Sequence, residues 1–263
     1  MIKLSVNGAC GRMGRRLVAL ASASEAFEVV EALEASGHHL LGRDIGELAG
    51  VGKTMVAVTD KPSVICEVMI DFSLPDAAGA RAGYCAAHKI ALVVGTTGLG
   101  QQEQAQLQAA AQQTAVLVGA NMSLGVNLLF KLVGEVAKKL GQDYDIEIVE
   151  THHRFKKDAP SGTALVLGRQ IAGAMGWPWP GCAVHGREGK QAERKEKTIG
   201  LHAVRAGDTV GEHQVIYAAL GETIVLTHRA HTRDTFVRGA LRAAQWLTGR
   251  QPGMYSMADV LGW

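Results

Sequence analysis

Residues 147–163 read EIVETHHRFKKDAPSGT and concentrate ionisable side chains at one strand exit. His152 and His153 are adjacent, and Lys156 lies four positions beyond the first of them. Histidine titrates near neutral pH with little tuning, and lysine can neutralise negative charge or donate a proton. The stretch therefore favours a site that protonates an anionic substrate. A solvent-exposed connecting loop is the alternative that this segment alone leaves open.

The segment that follows, Pro160-Ser161-Gly162-Thr163, has the composition of a helix start. A small hydroxyl residue suits the cap position, and glycine permits close approach of a ligand. The unpaired N–H groups of a helix N-terminus bind anions. We therefore expect a substrate carboxylate to bind here, next to the histidines and the lysine.

A glycine-rich loop follows the first apolar run, in the sequence NGACGRMG. Gly8, Gly11 and Gly14 would let a pyrophosphate approach the backbone, and Arg12 adds a positive charge at the start of a helix. Glu34 stands twenty residues after Gly14, where a carboxylate can accept hydrogen bonds from an adenosine ribose. The spacing G-x-x-G-x-x-G departs from the commoner G-x-G-x-x-G, so a tight structural turn is the alternative. Its position between a strand and a helix favours dinucleotide binding.

Two later strands end in small residues, in VVGTTG and VGANMS. Ligands of open α/β sheets bind beyond the carboxyl ends of the strands. The exits at residues 95–97 and 119–122 are therefore expected to lie near a nicotinamide ring, although each alone also fits a plain turn.

The elements that must position these residues alternate in type through the first half of the chain. Short β-rich runs at 2–6, 27–33, 55–58, 68–72, 90–94 and 115–118 are separated by helical stretches, of which residues 12–22 form the first. Such alternation is typical of βαβ units and of a mostly parallel sheet.

After Asn121 the pattern changes. It predicts a helix over 124–140, a strand over 144–150, a helix over 163–174 and then strands at 198–204, 213–220 and 222–230 with no helices between them. The fold class is therefore α/β, with an N-terminal Rossmann-type dinucleotide-binding domain and a central α+β domain whose sheet is mixed or antiparallel. We expect residues 1–123 and 234–263 to form the first domain and residues 124–233 the second, because chain ends often lie close together.

Composition excludes several classes of function. The 27 Lys and Arg residues against 25 Asp and Glu residues leave a formal charge of +2, which argues against a nucleic-acid partner. Four widely separated cysteines with no C-x-x-C pair fit reduced thiols in a cytoplasm, and no His spacing indicates a metal site. The uncharged stretch from Gln104 to Phe130 is too rich in Gln, Asn, Ser and Gly for a membrane span, and the start of the chain predicts no secretory signal.

The run E-I-V-E-x-H-x-x-x-K-x-D-x-P-S-G-T-A at 147–164 resembles the signature of the 4-hydroxy-tetrahydrodipicolinate reductase (dihydrodipicolinate reductase) family of bacterial lysine biosynthesis. GACGRMG, LLGRDIGELAG, IDFSLP, VVGTTG, ANMSLGVN, TIGLHAVRAGDTVGEH and MADVLG resemble that family in the same order. The resemblance implies reduction of a small dicarboxylate substrate by NADH or NADPH in a cytoplasmic homotetramer formed through the central sheets.

The resemblance also implies roles for individual residues. His152 would be the catalytic acid/base and Lys156 a second proton donor, while His153, Ser161, Gly162 and Thr163 would bind substrate. The cofactor would contact Gly8, Ala9, Cys10, Gly11, Arg12, Met13, Glu34, Gly95, Thr96, Thr97, Gly119, Ala120, Asn121 and Met122.

Two positions depart from the family pattern. Leu74 stands where a basic residue often follows the DFS or DFT motif, which puts a charged contact there in doubt. Ala35 stands after Glu34 where many members have Arg or Lys, so we expect NADH to be preferred over NADPH. His38, His39 and Arg43 follow closely and could supply a phosphate contact, although simple solvent exposure is the alternative.

Two other functions remain alternatives. A non-catalytic module that senses NAD(H) would need a partner-binding element, and no basic recognition helix is evident. A reductase of the Tyr-x-x-x-Lys type is disfavoured because none of the four tyrosines has Lys four positions later.

Overall fold

The computed structural model describes residues 1–63, 66–190 and 192–263. The chain divides into two compact units. One comprises Met1–Leu124 with Asp234–Trp263, and the other comprises Gly125–Arg233.

The first unit contains a parallel sheet whose strands, numbered along the whole chain, are β1 (Ile2–Asn7), β2 (Phe27–Leu33), β3 (Val58–Thr59), β4 (Val68–Asp71), β5 (Ala91–Val94), β6 (Ala115–Val118) and β12 (Gly253–Tyr255). Their order in the sheet is β12-β6-β5-β4-β1-β2-β3. The helices are α1 (Arg12–Ser22), α2 (Ile45–Ala49), α3 (Pro75–His88), α4 (Gln101–Ala111), α7 (Asp234–Leu247) and α8 (Met257–Leu261).

Helices cover both faces of this sheet, which explains why its central strands are buried on both faces. Every residue of β4 and β5 is buried. Because side chains alternate between faces, Ile70 and Val93 pack with α1 and α7, whereas Met69 and Leu92 pack with α3 and α4. The carboxyl ends of all seven strands meet at one edge, where the glycine-rich loop lies.

The second unit contains α5 (Leu124–Leu140), a short 3₁₀ turn (Gly141–Asp143), α6 (Gly162–Met175) and strands β7 (Asp145–His152), β8 (Ala183–His185), β9 (Ile199–Arg205), β10 (Gly211–Ala219) and β11 (Glu222–Ala230). The strand order is β11-β10-β7-β9-β8. Strands β7, β8 and β9 are parallel, and β10 is antiparallel to both β7 and β11, so the sheet is mixed. Its core includes Tyr217, whose hydroxyl donates to the Val133 carbonyl 2.6 Å away on α5.

Most predicted elements are confirmed, and α1, β2 and α5 have the predicted bounds. The strand predicted at 55–58 is wrong for its first residues, because Met55 adopts a left-handed conformation (φ 63°) and only Val58–Thr59 pairs with β2. Strand β7 continues to His152, two residues beyond the prediction. The short elements α2, β8, β12 and α8 were not predicted, because three to five residues show too little periodicity.

None of the helices in the described ranges is long and apolar enough to cross a membrane.

Candidate functional site

The ionisable residues of the charged segment assemble at the end of β7. Glu150 and His152 are two residues apart on this strand and so point to the same face. His213 on β10 is the register partner of Glu150, and Arg205 on β9 is the register partner of His152. Three strands therefore contribute side chains to one cluster.

Glu150 is the buried centre of that cluster, with 1% of its side chain exposed. Its carboxylate accepts hydrogen bonds from His152 Nδ1 at 2.5 Å, from both terminal nitrogens of Arg205 at 2.8 Å and from the Ser161 amide at 2.9 Å. Burial by itself would raise the pKa of Glu150, but these hydrogen bonds outweigh it and hold the pKa below its ordinary value. The carboxylate is thus a permanent negative charge beneath the histidine.

His152 is held in one orientation by this carboxylate. Because Nδ1 bonds Glu150, Nε2 is the nitrogen left for a substrate. A Cβ atom at Gly211 would lie 3.0 Å from Nε2, so the glycine leaves space beside that nitrogen. Burial lowers the pKa of His152 and outweighs the opposite effect of Glu150. The imidazole is therefore neutral near pH 7 in the ligand-free protein and can gain a proton when an anion is near.

Lys156 lies on the loop after β7 and forms an ion pair. Its ammonium group is 2.8 Å from both carboxylate oxygens of Asp158, and Arg205 also donates to the Asp158 carbonyl at 2.6 Å. The ion pair lowers the pKa of Asp158. Asp158 is well exposed, so solvent screens the ion pair and its contribution to stability is small.

Ser161 is the N-cap of α6, as predicted, and accepts from the Ala164 amide at 3.2 Å. Its hydroxyl also lies 2.9 Å from His213 Nε2, its amide bonds Glu150, and only 2% of the residue is exposed. These contacts turn the side chain inward, and the expected contact between Ser161 and substrate stays a prediction. Ser161 fixes the helix start against the cluster.

The neighbouring positions are more open. A Cβ built on Gly162 would meet nothing within 4 Å, so the first turn of α6 faces free space there. His153 Nδ1 is buried and has no hydrogen-bond partner among the residues that the structure describes. An orphaned buried polar atom is costly and calls for an explanation, of which a bound ligand or water is one.

The glycine-rich loop in the first unit has the geometry of a dinucleotide cradle. Gly8 has φ +74°, and a Cβ there would lie 2.5 Å from the Phe72 carbonyl oxygen. A Cβ on Gly14 would lie 2.2 Å from the Gly8 carbonyl oxygen. Helix α1 is capped by Gly11 without any side-chain hydrogen bond and has no acidic residue in its first turn. Its N-terminal N–H groups are therefore available to an anion.

Glu34 lies at the end of β2 next to this loop. Its carboxylate accepts hydrogen bonds from the Cys10 amide at 3.1 Å and from the Ala35 amide at 3.0 Å. These contacts direct the carboxylate to the glycine-rich loop. They also occupy the Cys10 amide, while the thiol of Cys10 is buried and its pKa is raised by that burial.

The loops that follow β5 and β6, at residues 95–97 and 119–122, contain both exposed and buried positions. Thr97 and Ala120 are exposed at the sheet edge, whereas Met122 is packed into the core. Thr96 is buried and its hydroxyl donates to the Asp71 carboxylate, so this side chain is turned into the fold. Gly95 lies against the Phe72 ring, where a Cβ would clash at 2.2 Å.

The sequence interpretation missed Glu150, Arg205, His213 and Asp71. The first could have been found, because residues 150 and 152 alternate within a predicted strand and must share a face. Arg205 and His213 are brought in by contacts that span 55 and 52 residues, and Asp71 by loops that meet at a sheet edge.

Two family models match the chain. Residues 2–122 match the model described as dihydrodipicolinate reductase, N-terminus, and residues 125–261 match dihydrodipicolinate reductase, C-terminus. The 4-hydroxy-tetrahydrodipicolinate reductase of Alkalilimnicola ehrlichii is 49% identical over 263 residues, covering 99% of this chain and 98% of that protein. The protein of the same name from Citrifermentans bemidjiense is 45% identical over 265 residues, covering 100% of this chain and 99% of that protein.

Among solved structures, the dipicolinate-bound dihydrodipicolinate reductase of Paenisporosarcina sp. TG-14 has a similar fold, with a TM-score of 0.76 at 23% identity and 97% coverage of both chains. The two family models together span nearly the whole sequence, and the relatives match it end to end. The chain therefore belongs to the dihydrodipicolinate reductase family.

Proposed function

We propose that the protein reduces 4-hydroxy-tetrahydrodipicolinate to tetrahydrodipicolinate with NAD(P)H, in the diaminopimelate route to lysine. Family membership supports the reaction class. At the level of residues, the observation that carries the proposal is the buried Glu150–His152 pair beside the open start of α6. A module that only senses NAD(H) would have no use for an oriented proton donor of this kind.

His152 is the proposed general acid. The 4-hydroxyl group would first be eliminated as water, which leaves a conjugated ring that can accept a hydride. The Nε2 nitrogen of His152 would then protonate the enamine carbon of the reduced ring, and Glu150 would stabilise the imidazolium that donates the proton. The substrate dianion favours that imidazolium, which compensates for the lowering of the His152 pKa by burial. A bound nicotinamide cofactor supplies the hydride.

The two substrate carboxylates are proposed to bind to Lys156, His153 and the first turn of α6. Lys156 would exchange the Asp158 carboxylate for a substrate carboxylate and could also donate a proton. The Gly162 and Thr163 amides would hold the other carboxylate at the positive end of the α6 dipole. Ser161 would hold these amides in place from inside the fold.

The cofactor would bind at residues 8–13, with its adenosine ribose at Glu34. Residues 95–97 and 119–122 would contact the nicotinamide end, largely through backbone groups where the side chains are buried. We propose that NADH is preferred, because the Glu34 carboxylate would repel a 2′-phosphate and Ala35 offers no compensating cation.

We also propose that the protein is a cytoplasmic homotetramer formed through the sheets of the second unit. Most of edge strand β11 is exposed, including the apolar residues Ile224 and Val225, and Val204 is exposed on β9. Apolar residues exposed on a sheet are typical of an interface. Sedimentation equilibrium measures the oligomeric state directly.

The test of the activity is NAD(P)H oxidation with the coupled product of aspartate semialdehyde and pyruvate as substrate. His152→Ala should lower kcat by about 10²–10⁴-fold with a much smaller effect on KM, as expected for loss of a general acid. A wild-type protein that binds NADH but does not oxidise it with this substrate would favour the sensing module instead.

A further inference from the structure

Asp71 is a fully buried acidic residue for which the proposed chemistry has no use. It is the last residue of β4, at the carboxyl edge of the parallel sheet, and none of its surface is exposed. A charged side chain is rarely buried in this way unless it is fully hydrogen-bonded. Its contacts therefore indicate what it does.

The Asp71 carboxylate receives hydrogen bonds from three different strand exits. The Asn7 side-chain amide donates from the end of β1, immediately before Gly8, and the Thr96 hydroxyl donates from the exit of β5. Ser73 donates through its amide at 3.2 Å and its hydroxyl at 3.0 Å from the exit of β4 itself. All of these groups are donors, so the carboxylate acts only as an acceptor.

Secondary contacts connect the three exits to one another. The Ser73 amide also donates to the Thr96 hydroxyl at 2.9 Å, and the Asn7 amide lies 3.2 Å from the Ser73 hydroxyl. Arg81 on α3 donates to the Asn7 side-chain carbonyl at 3.2 Å, which fixes the orientation of the Asn7 amide. Asp71 thus joins the exits of β1, β4 and β5 into one rigid network.

Phe72 connects this hydrogen-bond network to glycines of the proposed cofactor site by direct packing. Phe72 lies between Asp71 and Ser73, and its carbonyl oxygen occupies the space that a Cβ on Gly8 would need. Its ring fills the corresponding space at Gly95. Gly8 and Gly95, two of the glycines of the proposed cofactor site, are therefore packed directly against the turn that Asp71 holds.

We propose that Asp71 is a positioning residue for the dinucleotide, which fixes the glycine-rich loop and the β5 exit in their ligand-binding conformation without contacting the ligand. This proposal rests on the proposed function only in its choice of ligand. In Asp71→Asn, one carboxylate oxygen becomes an NH₂ group that faces other donors, so the exits lose their common anchor while the side-chain volume is preserved.

The test is the affinity of Asp71→Asn for NADH, measured by fluorescence titration without substrate, together with steady-state kinetics. We expect Kd and KM for NADH to rise about tenfold or more. We expect the affinity for pyridine-2,6-dicarboxylate, which would bind in the second unit, to stay within twofold. Thr96→Val removes one donor to the carboxylate and the acceptor of the Ser73 amide but leaves Asp71 in place, so it should give a smaller rise in the NADH Kd.

The matched control is Glu31→Gln. Glu31 is another buried carboxylate of the same sheet, but it accepts from Ser5 and Ser63, away from the three exits. A general loss of stability would lower Tm in both variants, but only Asp71→Asn should weaken NADH binding. An unchanged NADH Kd in folded Asp71→Asn, or an equal rise in Glu31→Gln, would overturn the proposal. Because Kd is measured without turnover, this outcome is separate from failure of the proposed reaction.

Discussion

Glu150→Gln is the sharpest test of the proposed acid, because the substitution removes a charge and leaves the shape of the side chain almost unchanged. The carboxylate now bonds His152 at 2.5 Å and Arg205 at 2.8 Å. In the variant, the imidazolium form of His152 loses a charge-assisted hydrogen bond, which is worth about 1.5–3 kcal/mol. The His152 pKa should therefore fall further.

The expected effect on the rate follows from that loss. Since a tenfold change corresponds to about 1.4 kcal/mol, the population of the imidazolium at a fixed pH above its pKa should fall by roughly 10- to 150-fold. We expect kcat/KM near neutral pH to fall by about the same factor. The alkaline decline of kcat/KM, which reports the free enzyme, should move by about one to two pH units toward acid.

The assay is the pH dependence of kcat/KM for NADH oxidation in the wild type and in Glu150→Gln. Tm should also fall by several degrees, because the largely buried Arg205 loses its carboxylate partner. Glu147→Gln is the matched control. Glu147 lies on the same strand but on the opposite face, and it bonds Arg187, Arg194 and His202. The control should lose stability but keep the wild-type pH profile. A folded Glu150→Gln variant with unchanged kcat/KM and an unchanged pH profile would refute the reasoning.

Three further predictions concern other parts of the molecule. Lys156→Ala should lower kcat/KM at least tenfold and weaken competitive inhibition by pyridine-2,6-dicarboxylate, since a charge-assisted bond contributes about 1.5–3 kcal/mol; wild-type kinetics would contradict the role of Lys156. Ala35→Arg should improve kcat/KM for NADPH by roughly 10- to 150-fold and leave kcat/KM for NADH little changed. A clear preference of the wild-type protein for NADPH would contradict the proposed preference for NADH. Burial lowers the pKa of His213 to about 3. As pH falls below about 6.5, the unfolded chain therefore binds a proton at His213 that the folded chain does not bind, and the folded state loses stability. Between pH 6.5 and 4.5, the unfolding free energy of His213→Gln should therefore fall by roughly 2–3 kcal/mol less than that of the wild type. An unchanged slope of unfolding free energy against pH would exclude His213 as a source of acid sensitivity.

Local patterns in the sequence were sufficient to predict the architecture. Helices α1 and α5 have the predicted bounds because their apolar periodicity and flanking residues are contained within each segment. The mixed sheet of the second unit was also predicted, since its strands follow one another with no room for helices. The glycine-rich loop could be placed because glycine spacing, a preceding strand and a following helix all lie within a few residues.

The tertiary structure decided which ionisable groups act together. Nothing local to His152 indicates Arg205, 53 positions later in the sequence, yet parallel pairing of β7 and β9 puts the two in register. The inward orientation of Ser161 depends in the same way on His213, and that of Thr96 depends on Asp71. The residue types that can do the chemistry are therefore evident in the sequence, because reactivity belongs to the side chain. Their charge state and orientation depend on burial and on hydrogen bonds from distant strands, and these exist only in the folded chain.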